Sequence, residues 1–116
     1  SRYFNFTGLA KTKGVLSVLH NIVVGTPTND DRFIHGELYE IKEQNQFSFA
    51  IGQLDEYEGV NPEPPQPPMY KRSIAQVVTE NGSQYDAWVY WYLGDISGLP
   101  VIQSGNVLDF LKRNGE

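Results

Sequence analysis

Gln84-Tyr85-Asp86-Ala87-Trp88-Val89-Tyr90-Trp91-Tyr92-Leu93 decides the fold of this chain. β-Branched and aromatic residues dominate it, which is the chemistry of a strand. Successive side chains of a strand point to opposite faces. Trp88, Tyr90 and Tyr92 then share one face, and Val89, Trp91 and Leu93 share the other. Both faces are substantially apolar, so this is a central strand or the wall of a barrel. Residues 70–79 have the same character, and Glu80-Asn81-Gly82-Ser83 lies between the two runs. Asn-Gly flanked by apolar runs is a strong hairpin signal.

Further upstream, Val15-Leu16-Ser17-Val18-Leu19 and Ile22-Val23-Val24 also read as strands. Gly25-Thr26-Pro27-Thr28-Asn29-Asp30 is a turn or loop by composition. Residues 32–41 read as a strand, and Gly36 within it implies a bulge or a close backbone approach. Phe47, Ile51 and Leu54 fall at i, i+4 and i+7, which predicts a helix over 43–57 with Gly59 as its stop. Five prolines within residues 62–68 impose an extended backbone there. Ser104 is placed to cap a short helix carrying Val107, Leu108 and Leu111 and ending at Asn114-Gly115. There is no internal repeat.

A length of 116 residues fits one domain over 1–116. Hydrophobic residues make up 40% of the chain, enough for a packed core. There is no cysteine, which removes disulfides, thiol nucleophiles and cysteine metal sites. The two histidines, His20 and His35, support a metal site poorly, and none is expected. Net charge is −5 with no Lys/Arg-rich run, so no footprint for nucleic acid is present. No apolar run approaches the roughly 20 residues that cross a bilayer as a helix. The N-terminus lacks a secretory h-region, and the sequons at Asn5 and Asn81 matter only in a secreted chain. The expectation is a soluble cytoplasmic protein with no membrane partner and no cofactor.

Leu54-Asp55-Glu56-Tyr57-Glu58-Gly59 carries three acidic residues in four at the predicted helix exit. A helix dipole already concentrates negative charge there. Burial beside like charges would lift one carboxyl toward the neutral range that acid/base chemistry requires. The bland reading is a solvated acidic helix end. Both readings stand on the residues alone.

The order of pieces is itself informative. His35-Gly36-Glu37-Leu38-Tyr39-Glu40-Ile41 precedes Leu54-Asp55-Glu56-Tyr57-Glu58-Gly59. Tyr70-Lys71-Arg72, Ala87-Trp88-Val89-Tyr90 and Val101-Ile102-Gln103-Ser104-Gly105-Asn106 follow. The chain resembles the γ-glutamylcyclotransferase-like superfamily, in its small AIG2-like branch. That family shows G-E-L-Y, L-D-x-x-E-G, Y-x-R, A-x-V-Y and I-x-S-G-D/N in this order, here across roughly residues 10–110.

The resemblance implies an α+β fold, a small mixed β-barrel flanked by short helices. It implies an intramolecular acyl transfer on a small γ-glutamyl amine or peptide. The substrate's α-amine attacks its own γ-glutamyl carbonyl, an amine leaves, and 5-oxoproline forms. One carboxyl near neutral pKa can serve both proton transfers. By resemblance that group is Glu58, with Asp55 and Glu56 solvated or raising its pKa. No nucleophilic side chain, metal or cofactor is required.

The departure is at the N-terminus, where the family carries a Y-G-S/T-L loop whose N–H groups hold the substrate. One alignment puts Phe6-Thr7-Gly8-Leu9 there, which makes Thr7, Gly8 and Leu9 loop donors. The other puts residues 10–16 on the family's next strand, so that Gly14 and Leu16 match and the loop is absent. Under the second alignment a non-catalytic binding or interaction module becomes the alternative function. A third reading is a scaffold presenting Pro62–Pro68 to a partner, and the spacing of Pro64 to Pro67 fits the PxxP pattern of a ligand for a proline-binding domain. Tyr39, Tyr70, Arg72 and Tyr90 are candidate pocket residues. The plainer readings are wall packing for the tyrosines and a surface ion pair for Arg72. His35 reads as structural, and Trp88 and Trp91 as core or barrel surface. The leaving amine and the oligomeric state are not fixed by sequence.

Overall fold

The computed structural model describes residues 4–51 and 69–113. Strands run in the order β1 (Phe4–Lys13), β2 (Val15–Leu19), β3 (Ile22–Thr26), β4 (Phe33–Ile41), β5 (Gln46–Ala50), β6 (Tyr70–Thr79) and β7 (Gln84–Tyr92), followed by helix α1 (Val107–Arg113). Five of them close a barrel in the order β1-β4-β5-β7-β6, and β2 and β3 form a separate two-stranded sheet. The sheet is mixed, because β5 pairs parallel with β7 while every other barrel pairing is antiparallel.

Alternation along each strand builds the core. Ala87, Val89 and Trp91 of β7 point inward with Val77, Ile34, Leu38 and Phe49. Ile34, Leu38, Val77, Ala87 and Val89 are fully excluded from solvent. The β2–β3 sheet adds Leu16 and Val24, both buried. Two hydrogen bonds tie β2 to the C-terminal stretch, Val18 N–H to Pro100 O at 2.9 Å and Ile102 N–H to Leu16 O at 3.0 Å.

Turn chemistry fixes the hairpins. His20 (φ 49°) and Asn21 (φ 73°) form the two-residue β2–β3 turn. Positive φ at both positions matches the right-handed strand twist. Between β6 and β7, Thr79 pairs with Ser83, and Gly82 (φ 90°) takes the left-handed position of a three-residue loop. The Asn81-Gly82 hairpin expectation therefore holds, with Gly82 rather than the pair supplying the unusual backbone.

Gly36 is a close-approach glycine. A Cβ there would lie 2.3 Å from the Ala50 carbonyl oxygen on β5. The bulge is elsewhere, at Thr7, where the β1–β4 register shifts between Phe6 and Gly8.

Three expectations need correction. The helix over 43–57 is replaced, as far as the described residues reach, by strand β5. A turn ending at Asn45 (φ 57°) sets Gln46 opposite Ile41. Phe47 and Phe49 then both face the core at the strand period, so tertiary pairing overrides the helical spacing. Second, of the short helices expected to flank the barrel, the described residues contain one, α1. Third, the cap of α1 is Asn106, whose Oδ1 accepts from Leu108 N–H at 3.0 Å. Ser104 Oγ instead accepts from Asn106 N–H at 3.1 Å and donates to the Asp109 carboxylate.

Candidate functional site

The outward face of β6 and β7 collects three of the candidate residues. Arg72 lies opposite Tyr90, and Tyr70 lies opposite Tyr92. The Arg72 guanidinium stacks on the Trp88 ring, 3.9 Å from its centroid. Trp88 is fixed by its indole N–H, which donates to Gln46 Oε1 at 2.9 Å. Arg72 has no carboxylate in ion-pair range among the described residues, and its contact there is the cation–π stack on Trp88. A stacked, exposed guanidinium keeps its donor edge free for a carboxylate.

Tyr70 and Tyr90 flank this cation and are 43% and 54% exposed. Tyr70 meets Tyr92 edge to face, with centroids 5.8 Å apart. Burial, and then the neighbouring Tyr92, pushes the Tyr70 phenol above its ordinary pKa. Tyr39 belongs to the same outward side. It pairs with Ser48, and Ser48 pairs with Trp88, which sets Tyr39 two strands away, about 10 Å. Its hydroxyl donates to Glu37 Oε1 at 2.8 Å, and its ring packs against Phe4 and Phe6.

Thr7, Gly8 and Leu9 lie within β1 rather than in a loop. Thr7 is the extra residue of the bulge, and Gly8 (φ 155°) supplies the backbone angle it needs. Leu9 is exposed. Residues 10–16, which the second alignment puts on a single strand, are divided between the end of β1 and the start of β2, with Gly14 between them. Glu58, with Asp55 and Glu56, lies outside the described residues, as do the prolines at 62–68.

One feature escaped sequence reasoning. A cavity of about 570 Å³ lies between β1, β4, the β6–β7 turn and the start of α1. Leu9, Lys11, His35 and Glu37 line it. His35, read from sequence as structural, is exposed there. Lys11 and His35 are strand partners from distant parts of the chain, so no local motif announces them.

The loop into β4 carries a separate charged pair. Arg32 donates from Nε and Nη2 to Asp30, the latter at 2.8 Å, and holds the Asp30 carboxyl down to about 2. Hydrogen bonds from Ser97 likewise lower Asp95. No group of three His, Asp or Glu side chains among the described residues could hold a metal ion. No helix among them is long and apolar enough to cross a membrane.

Residues 3–108 match the family model described as "Gamma-glutamyl cyclotransferase, AIG2-like". A Methanocaldococcus jannaschii protein named "Putative gamma-glutamylcyclotransferase MJ1514" is 27% identical over 106 residues, covering 90% of this chain and 78% of that protein. No solved structure matches the chain.

Proposed function

The chain belongs to the γ-glutamyl cyclotransferase, AIG2-like family, and on that premise we propose that it releases 5-oxoproline from a small γ-glutamyl amine or peptide. The observation that carries this reading is the family match over residues 3–108, which spans the whole ordered set of motifs including Leu54-Asp55 and Glu58-Gly59.

In this reading the substrate's α-amine attacks its own γ-carbonyl carbon and a C–N bond forms. The bond to the leaving amine then breaks. Glu58 takes the proton shed by the attacking nitrogen and returns it to the departing one, so no proton is gained or lost. Arg72, stacked on Trp88 and without a carboxylate partner among the described residues, supports a role as anchor for the substrate's α-carboxylate. Tyr39, Tyr70 and Tyr90 stand on the same outward side as further contacts. Thr7, Gly8 and Leu9 contribute along β1. Residues 1–116 act as one cytoplasmic domain.

The test is 5-oxoproline release from a panel of γ-glutamyl amino acids and amines, comparing the parent with Glu58→Gln. Turnover that vanishes in the variant supports the reading and identifies the leaving amine. No turnover on any substrate, from protein shown to be folded, replaces it with the non-catalytic binding module.

A further inference from the structure

The cavity beside β1 has an ordered arrangement of charge. Lys11 faces His35 across the β1–β4 pair, and Leu9 faces Glu37 one step along. All four positions share one face of the sheet. Lys11 extends its ammonium over the Phe33 ring, 4.5 Å from the centroid, which carries the positive charge away from Glu37. Its basic neighbours are already paired: Lys13 with Asp31 at 3.8 Å, and Arg32 with Asp30 at 2.8 Å. Lys11 has no ion pair among the described residues, although it is half-buried. Glu37 is half-buried too and, among the described residues, its carboxylate accepts one hydrogen bond, from Tyr39. A carboxylate has about four acceptor positions, so most of its capacity is unused.

The lining combines the Lys11 cation, the carboxylates of Glu37 and of the exposed Glu80 in the β6–β7 turn, and the apolar side chains of Leu9, Val78 and Val107, which make a recognisable complement. We propose that this cavity binds a zwitterionic dipeptide with apolar side chains, its carboxylate on Lys11 and its ammonium on Glu37. Phe33, under the Lys11 ammonium, and Glu37 are four residues apart on β4, which is about 13 Å. An extended dipeptide spans about 7 Å. One charge-assisted hydrogen bond of about 2.8 Å at each end brings the reach to the same length. A single amino acid is too short to reach both ends. A volume of about 570 Å³ lies in the range of small-molecule sites and has room for two side chains. His35, between the two charges, is placed to contact the peptide group. The inference is read by binding and stands or falls independently of turnover at Glu58.

The test is titration of the protein with leucyl-alanine, followed by amide chemical shifts and calorimetry. The expected result is saturable binding with shifts at Leu9, Lys11, His35, Glu37 and Val107. N-acetyl and C-amide forms of the peptide, and free leucine, should each bind at least tenfold more weakly. Lys11→Gln should weaken the free peptide about tenfold and erase the preference for it over the C-amide. Lys11→Arg should restore both, which separates recognition from loss of folding. Shifts confined to other residues, equal binding of the blocked peptides, or a Lys11→Gln protein that still discriminates against the amide would overturn the proposal, as would no binding at all.

Discussion

Arg72 crosses diagonally to Trp88, 3.9 Å from its ring, although its register partner is Tyr90. The Trp88 ring holds the guanidinium against the outward face of β6 and β7, where Arg72 is exposed. Arg72→Ala is expected to cost about 0.5–1 kcal/mol of stability. In 5-oxoproline release it should raise KM about tenfold and leave kcat nearly unchanged, the signature of lost substrate binding. Arg72→Lys should recover only part of the loss, because an ammonium neither stacks nor forks around a carboxylate in the same way. Steady-state kinetics on the three proteins decide this.

Gly36 lies against the β5 backbone with no room for a methyl group. The obstacle is a carbonyl oxygen held in the sheet, so a rotamer change cannot relieve it. Gly36→Ala is expected to destabilise the protein by at least about 3 kcal/mol. Thermal or urea unfolding followed by circular dichroism measures it.

Ser17 is 1% exposed, and its hydroxyl has no hydrogen-bond partner among the described residues. A buried hydroxyl without a partner carries its desolvation cost uncompensated. Ser17→Ala should leave stability unchanged or raise it by up to about 1 kcal/mol. A urea midpoint lower than the parent's would contradict this.

His20 and Asn21 both hold positive φ in the β2–β3 turn. Asn-Gly suits that geometry better than His-Asn. The double substitution His20→Asn and Asn21→Gly should raise stability by about 1 kcal/mol, with no change in the register of β2 on β3. Denaturation and amide exchange read the two parts separately.

Burial keeps the Tyr70 phenol neutral above the pKa of the unfolded chain. Folded protein therefore holds a proton that unfolded protein has released. The contribution to stability is complete below pH about 10 and is lost as pH rises through the folded-state value. Tyr70→Phe should remove that alkaline decline while leaving the neutral-pH trend in place. Urea midpoints across the alkaline range test it.

The readability of this chain follows from where its information lies. Strands β2, β3, β4, β6 and β7 were legible because β-branched and aromatic residues concentrate in each and Asn81-Gly82 marks a turn. Strand β5 was not. Phe47, Ile51 and Leu54 carry a helical spacing, and only pairing with β4 and β7 makes Phe47 and Phe49 the relevant pair. The helix start was displaced by two residues because Ser104 and Asn106 are both competent caps and both accept a backbone N–H. Of the candidate site, the sequence pointed to Tyr70, Arg72 and Tyr90, which β6 and β7 bring onto one face. The stack of Arg72 on Trp88 depends on a cross-strand diagonal that no linear motif encodes. Lys11 and Glu37 were missed for the same reason.

The barrel is stitched unevenly. Among the described residues β1 and β4 share nine paired positions, as do β6 and β7, yet β1 meets β6 at two and β5 meets β7 at two. The well-stitched β6–β7 pair is a hairpin, local in sequence and able to form within microseconds. The two short seams join distant stretches, residue 11 to residue 78 and residue 48 to residue 88. Loop-closure entropy opposes those contacts until both leaves already exist. Folding therefore proceeds leaf by leaf and finishes at the seams, and opening on the native side begins there as well.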